Sequence, residues 1–185
     1  MNQTWKRPFF GVFSTPSKSF AQKYTFCFHF ANQKKAEKID YNDPEFRSVD
    51  NPRWVEAGMP PSMVEVLKEK GIVQLTPVQA EAFDPVLAGQ DVIGRSRTGT
   101  GKTLAFGMPS LTRLAKWVEE KGYMDERGRV VRGRPVSMLV LCPTRELARQ
   151  VKEELSMIAR PLGLYATVFH GGVSYGPQVC RQNSF

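Results

Sequence analysis

Ser96-Arg97-Thr98-Gly99-Thr100-Gly101-Lys102-Thr103 sets two glycines, a lysine and a terminal hydroxyl between two apolar segments. These residue types at this spacing could hold a phosphate. A glycine-rich turn lets successive backbone N–H groups converge on one anion, and Gly99 and Gly101 supply that freedom. Lys102 would reach the β- and γ-phosphates of a nucleotide as a point charge, and the Thr103 hydroxyl would help to hold Mg²⁺. The strict pattern G-x-x-x-x-G-K-[ST] asks for glycine where Ser96 stands, so as an isolated pattern the stretch is a near miss. A plain glycine-rich turn before a helix is the alternative. GTPases, small-molecule kinases and motor ATPases all use such loops, so the loop alone does not choose among them.

A phosphate loop needs a strand to deliver it and a helix to leave from it. A short strand is expected around Asp91 to Gly94, and Lys102 to Glu120 reads as one largely apolar helix. Upstream, Met63, Val64, Val66 and Leu67 fall at helical spacing behind Pro60 and Pro61, with Gly71 in the place of a C-terminal cap. Thr76 and Pro77 open a second helix as N-cap and first-turn proline; Pro85 is expected to bend or end it and Gly89 to close it. Residues 119–135 are charged and glycine-rich, as in an exposed connection. Val136 to Pro143 carries apolar residues in succession, as in a parallel strand covered on both faces. Thr144 can cap a helix whose Leu147, Val151, Leu155 and Ile158 make one stripe, and Tyr165 to Phe169 reads as a last strand. Strands alternating with helices imply an α/β fold, a doubly wound parallel sheet with its ligand at the strands' C-terminal ends.

The 185 residues suffice for one core of ordinary domain size, and no apolar run approaches the roughly 20 residues needed to cross a bilayer. Cys27, Cys142 and Cys180 form no close pair, and His29 and His170 have no ligand cluster around them, so neither a zinc site nor a disulfide framework is read; a reducing compartment suits this. The net charge of +8 is uneven. Residues 1–36 hold six of the 26 basic residues and no acid, which leaves 20 basic against 18 acidic beyond them. A charge argument for nucleic-acid binding by the folded part is therefore weak. The basic, Phe-rich leader is read as 1–46; its first 36 residues share their lack of acids and their hydroxyl residues with organelle transit peptides, and a disordered tail, or upstream sequence read in by mistake, fits the same composition.

The flanks of the loop choose among the nucleotide-binding classes. "WVEAGMPPSMVEVLKEKGIVQLTPVQ", "SRTGTGKT", "PTRELARQV" and "GG" occur in that order, and together, over Trp54 to Gln178, they resemble the first half of the DEAD-box RNA helicase core. "RTGTGKTLAFGMP" and "HGGVSY" look closest to the branch with plant organellar and nucleolar members. The resemblance implies a partial RecA-like P-loop domain over 47–185. It makes Gln79, with Thr76 and Pro77, the element that reads the adenine edge, a job for an amide that both donates and accepts. Leu75 departs from the family's frequent proline. Trp54 stands where the family usually has a phenylalanine stacked on the base; a core anchor is the alternative for Trp54 and a plain exposed helix residue for Gln79. Ser96 falls where the family pattern A-x-T-G-x-G-K-T has alanine. Ser96, Arg97, Thr98, Gly99, Thr100, Gly101, Lys102 and Thr103 would then cradle ATP, with Mg²⁺ on Thr103.

By the same resemblance Thr144 and Arg145 would contact RNA phosphates, and Gly171 and Gly172 would let the backbone approach without reading sequence. A simple N-cap and a simple turn are the alternatives at these positions. The family's next elements, a TPGR segment, the Asp-Glu-Ala-Asp box, a Ser-Ala-Thr segment and a second RecA-like domain with its arginine fingers, are absent from these residues. The expectation is an ATP- and RNA-binding part of an RNA helicase, without hydrolysis or unwinding of its own and with unpaired inner strand edges that favour aggregation. A partial gene product of a helicase, a non-catalytic nucleotide- or RNA-binding module and another P-loop class are the readings that remain. No membrane partner is expected; RNA target, protein partners and compartment, organellar or nucleolar, stay open.

Overall fold

A computed structural model of the chain describes residues 40–126, 130–131, 136–174, 176 and 178. Most of the leader, with Cys27 and His29, lies outside the described residues, as do Cys180 and parts of the 119–135 connection. The elements given bounds among the described residues are, in order, α1 (Pro44–Arg47), α2 (Pro52–Glu56), α3 (Pro61–Glu69), α4 (Pro77–Leu87), α5 (Lys102–Glu120), α6 (Arg145–Ala159) and the 3-10 turn Arg160–Leu162.

The helix starts and stops follow the sequence cues. Prolines occupy the first turn of α1 to α4, where the missing N–H has no partner to lose. Asp43 and Asn51 cap α1 and α2 through their side chains, and the Thr144 hydroxyl accepts the Leu147 N–H at 3.2 Å to cap α6. After α3 the Ile72 N–H donates to Leu67 O (2.9 Å) and the Gly71 N–H to Lys68 O (2.8 Å), the paired bonds of a glycine-terminated helix; α4 and α5 end the same way at Gly89 and Gly122.

α5 is the central element: it packs on α4 along one side and on α6 along another, while α3 packs on α6 and the 3-10 turn. The core joins Met63 and Leu67 of α3, Phe83 of α4, Leu104, Met108 and Leu111 of α5, and Val151, Leu155 and Ile158 of α6. Gly107 of α5 lies so close to Leu155 that any side chain there would displace it. Packing also reaches back into the expected leader. Tyr41 meets Phe46 edge-on, Phe46 meets Trp54 and Trp54 meets Phe83, with ring centroids 5.3 to 5.8 Å apart.

One expectation needs correction and one is left unconfirmed. Pro85 does not end α4: the helix runs through it to Leu87, and both Pro85 and Val86 are buried. Likewise α5 continues through the buried Pro109. A proline costs its own N–H bond and crowds the preceding turn, but it does not stop a helix whose face is held on both sides of it.

The expected parallel sheet is not confirmed by the described residues. Among the described residues, 91–94, 136–142 and 164–169 form no strand, and the β pairing is limited to two isolated antiparallel bridges, Ser48 with Gln74 and Met124 with Val130. What persists from Met138 on is a two-residue alternation. Met138, Val140 and Cys142 pack on the core, while Leu139 and Leu141 face out; Val136 (73% exposed) precedes the alternation and lies off the core. Leu164 is buried and Tyr165 and Phe169 are exposed. These segments therefore cover the core with one face only, not the two that a buried parallel strand would need.

Candidate phosphate-binding site

The loop leaves the buried Gly94 and enters α5 at Lys102. Gly99 and Gly101 both take left-handed backbone angles, φ +81° and +73°, and Gly101 is the N-cap of α5. At Gly101 a side chain is doubly excluded, because a Cβ would also run into the Gln79 amide. No described residue accepts from the backbone N–H groups of Thr98 to Thr103, and none bonds the Thr103 hydroxyl. A run of unused donors at the N-terminus of a 19-residue helix suits an anion.

The carbonyls of Ser96, Arg97, Thr100 and Gly101 are engaged. Lys102 Nζ donates to Ser96 O at 2.9 Å and also to Arg97 O. Thr100 Oγ1 donates to Arg97 O at 2.9 Å and lies 2.7 Å from Ser96 Oγ. From α4, Thr76 Oγ1 donates to Thr100 O (2.9 Å) and Gln79 Nε2 to Gly101 O (3.1 Å). Partial burial of Lys102 disfavours its charge and holds its pKa below the ordinary lysine value. Arg97 and Thr98 are exposed and Thr103 is half-buried.

Gln79 is 3% exposed, which excludes a plain surface role. Its Oε1 accepts the Thr76 N–H at 2.8 Å, so the amide uses one acceptor and one donor position and keeps one of each. Just upstream, Leu75 donates its N–H to Arg47 O (2.8 Å) and accepts from Arg47 Nη1 at 2.8 Å. That gives Leu75 a physical reason. A proline there would have no N–H to close this pairing. Trp54 is fully buried, its rings edge-on to Phe46 and Phe83 and its Nε1–H given to Ser48 O at 2.9 Å. These are the surroundings of a core anchor; Phe83, which it meets, stands one helical turn along α4 from Gln79.

A second cluster forms at the start of α6. Arg145 Nε donates to Glu146 Oε1 at 2.7 Å, and this bond pulls the Glu146 carboxyl below its usual range. Arg145 Nη1 lies 3.3 Å from where a Cβ on Gly172 would stand, so Thr144 and Arg145 are neighbours of the Gly171–Gly172 turn. Arg149, one turn on, donates through Nε and Nη2 to His170 Nε2 at 3.2 and 3.1 Å, which puts the ring proton on Nδ1, facing Gly171 O. Gln178 holds the His170 backbone on both sides, accepting its N–H and donating to its carbonyl. Arg149, His170 and Gln178 escaped the sequence reading. The four-residue step from Arg145 to Arg149 was the one available signal. No hydrogen bond among the described residues joins this cluster to the phosphate loop. Neither cluster gathers three or more His, Cys, Asp or Glu side chains, and no described group of that kind could hold a metal ion.

The DEAD/DEAH box helicase family profile matches residues 76–182, from the N-cap of α4 to beyond the glycine pair. The chain belongs to this family. Among curated DEAD-box relatives it is 44% identical over 121 residues to the chloroplastic DEAD-box ATP-dependent RNA helicase 3B of Zea mays, covering 65% of this chain and 15% of that one. It is 42% identical over 121 residues to Nucleolar RNA helicase 2 of Rattus norvegicus, 65% of this chain and 13% of that protein. The fold resembles the crystal structure of the RNA helicase Prp28 from Chaetomium thermophilum bound to ADP, with a TM-score of 0.57 and 27% identity over 84% of this chain and 39% of that one. The chain thus spans about one seventh of the length of such curated helicases.

Proposed function

We propose that this chain carries the nucleotide-binding and part of the RNA-binding surface of an ATP-dependent RNA helicase, holding Mg-ATP on the 96–103 loop and RNA backbone at the start of α6. The observation that carries the reading is the run of unused N–H donors from Thr98 to Thr103, ending at Lys102 on the first turn of α5. In this reading the N–H groups and Lys102 bind the β- and γ-phosphates. The unpartnered Thr103 hydroxyl takes one place on Mg²⁺, an ion that keeps its waters and shares phosphate oxygens. Gln79 offers adenine its remaining donor and acceptor. Trp54 acts at one remove, by fixing Phe83 and with it α4. Thr144, Arg145, Gly171 and Gly172 meet RNA phosphates, which would make binding independent of sequence and sensitive to salt.

The 185 residues contain no Asp-Glu-Ala-Asp run, and we assign them binding without turnover. Positioning by Lys102 and Thr103 is half of phosphoryl transfer; a carboxylate on the metal and an arginine finger worth about 10³ to 10⁵ in rate are the other half. The names of similar helicases support a plastid, mitochondrial or nucleolar setting.

Titration of the full chain with Mg-ATP and Mg-GTP tests this. ATP should bind saturably and more tightly than GTP, and Lys102→Ala should weaken ATP about 10-fold or more, the worth of charge-assisted hydrogen bonds. Equal binding by Lys102→Ala, or a preference for GTP, would contradict it.

A further inference from the structure

The phosphate loop is folded onto its own lysine by a closed set of hydrogen bonds, and one member of the set is peculiar to Ser96. Thr100 Oγ1 has a single proton and gives it to Arg97 O, so the 2.7 Å contact between Ser96 Oγ and Thr100 Oγ1 must use the serine proton. Ser96 O and Arg97 O meanwhile both accept from Lys102 Nζ. Residues 96, 97, 100 and 102 thus tie the two ends of the loop together. Two of the three Lys102 protons are spent on the loop's own carbonyls and not on an incoming anion. Alanine, the residue of the family pattern at this position, has no hydroxyl to donate and could not close the set.

We propose that the Ser96 hydroxyl is a latch: it braces the loop against Thr100, keeps the Ser96 and Arg97 carbonyls where Lys102 can hold them, and so lowers the rate and affinity with which a nucleotide's phosphates enter. The latch rests on the phosphate-binding reading above. Lys102 must leave both carbonyls to reach a phosphate, and a brace that holds those carbonyls in place stabilises the arrangement that binding has to undo. Thr76 and Gln79, which hold the Thr100 and Gly101 carbonyls from α4, anchor the far end of the loop, so that opening falls on the Ser96 side.

The test is stopped-flow binding of a fluorescent methylanthraniloyl Mg-ATP to the full chain, its Ser96→Ala, Thr100→Val and Lys102→Ala variants and the Ser96→Ala/Thr100→Val double variant, with thermal melting to follow the fold. One neutral hydrogen bond corresponds to a gain of roughly three- to tenfold in association rate and affinity for Ser96→Ala. Thr100→Val should gain at least as much, and the double variant should match Thr100→Val, because both singles cut the same bond. Lys102-dependent binding that Ser96→Ala leaves unchanged or weakens overturns the latch while the site reading stands. Binding that Lys102→Ala does not reduce overturns both.

Discussion

Gly101 carries the tightest constraint in the site, since its backbone is left-handed and the Gln79 amide fills the space that a side chain would need. Gly101→Ala should lower the urea unfolding free energy by about 1–2 kcal/mol from backbone strain alone, and more if Gln79 is displaced. Gly171→Ala, with no atom near its would-be Cβ, should stay within about 0.5 kcal/mol of wild type. Equal effects at the two positions would contradict the geometry. The loop was legible at this scale because its chemistry is local: eight consecutive residues carry the glycines, the charge and the hydroxyls. Gln79 was legible only through resemblance, and its real partners, Thr76 N–H and Gly101 O, are set by how α4 meets α5. Trp54 shows the limit of transferring a role by position, because the ring is enclosed by Phe46 and Phe83, one of them contributed by a segment assigned to the leader.

Among the elements, α3, α4, α5 and α6 were legible from period and caps, while the expected strands form no ladder among the described residues. A helix closes its hydrogen bonds within its own sequence, so Thr76, Pro77, Gly71 and Gly89 announce its ends. A strand depends on a neighbour that its own residues do not name. Met138 to Cys142 keeps a strand's alternation but pairs with nothing described in a ladder, which is why an apolar run that suggested two covered faces has one. Proline misled for a related reason: the rule against Pro85 is local, and the packing of α4 on α5 is not. Thr144 stands between the scales, since its hydroxyl already caps α6. Thr144→Ala should cost about 1 kcal/mol by denaturant unfolding, and Thr144→Ser, which keeps the cap, a few tenths at most. If RNA binding fell equally in both variants while only the first lost stability, the hydroxyl's surroundings would matter to RNA beyond its role as a cap.

For the whole molecule, the helical scaffold gathers two sites from distant sequence. α4 and α5 bring Thr76 and Gln79 against Thr100 and Gly101, and α6 brings Arg145 and Arg149 against Gly172 and His170. Leu139 and Leu141 face away from the core that Met138, Val140 and Cys142 meet, so this segment covers the core with one face. The central claim is that the N–H groups of the loop form an anion cradle. It is read most directly by following the backbone amides of the full chain in ¹⁵N–¹H correlation spectra during titration with Mg-ADP. The largest shifts should fall on Thr98 to Thr103 and be abolished in Lys102→Ala. Shifts confined to other segments, or none at saturating nucleotide, would contradict it.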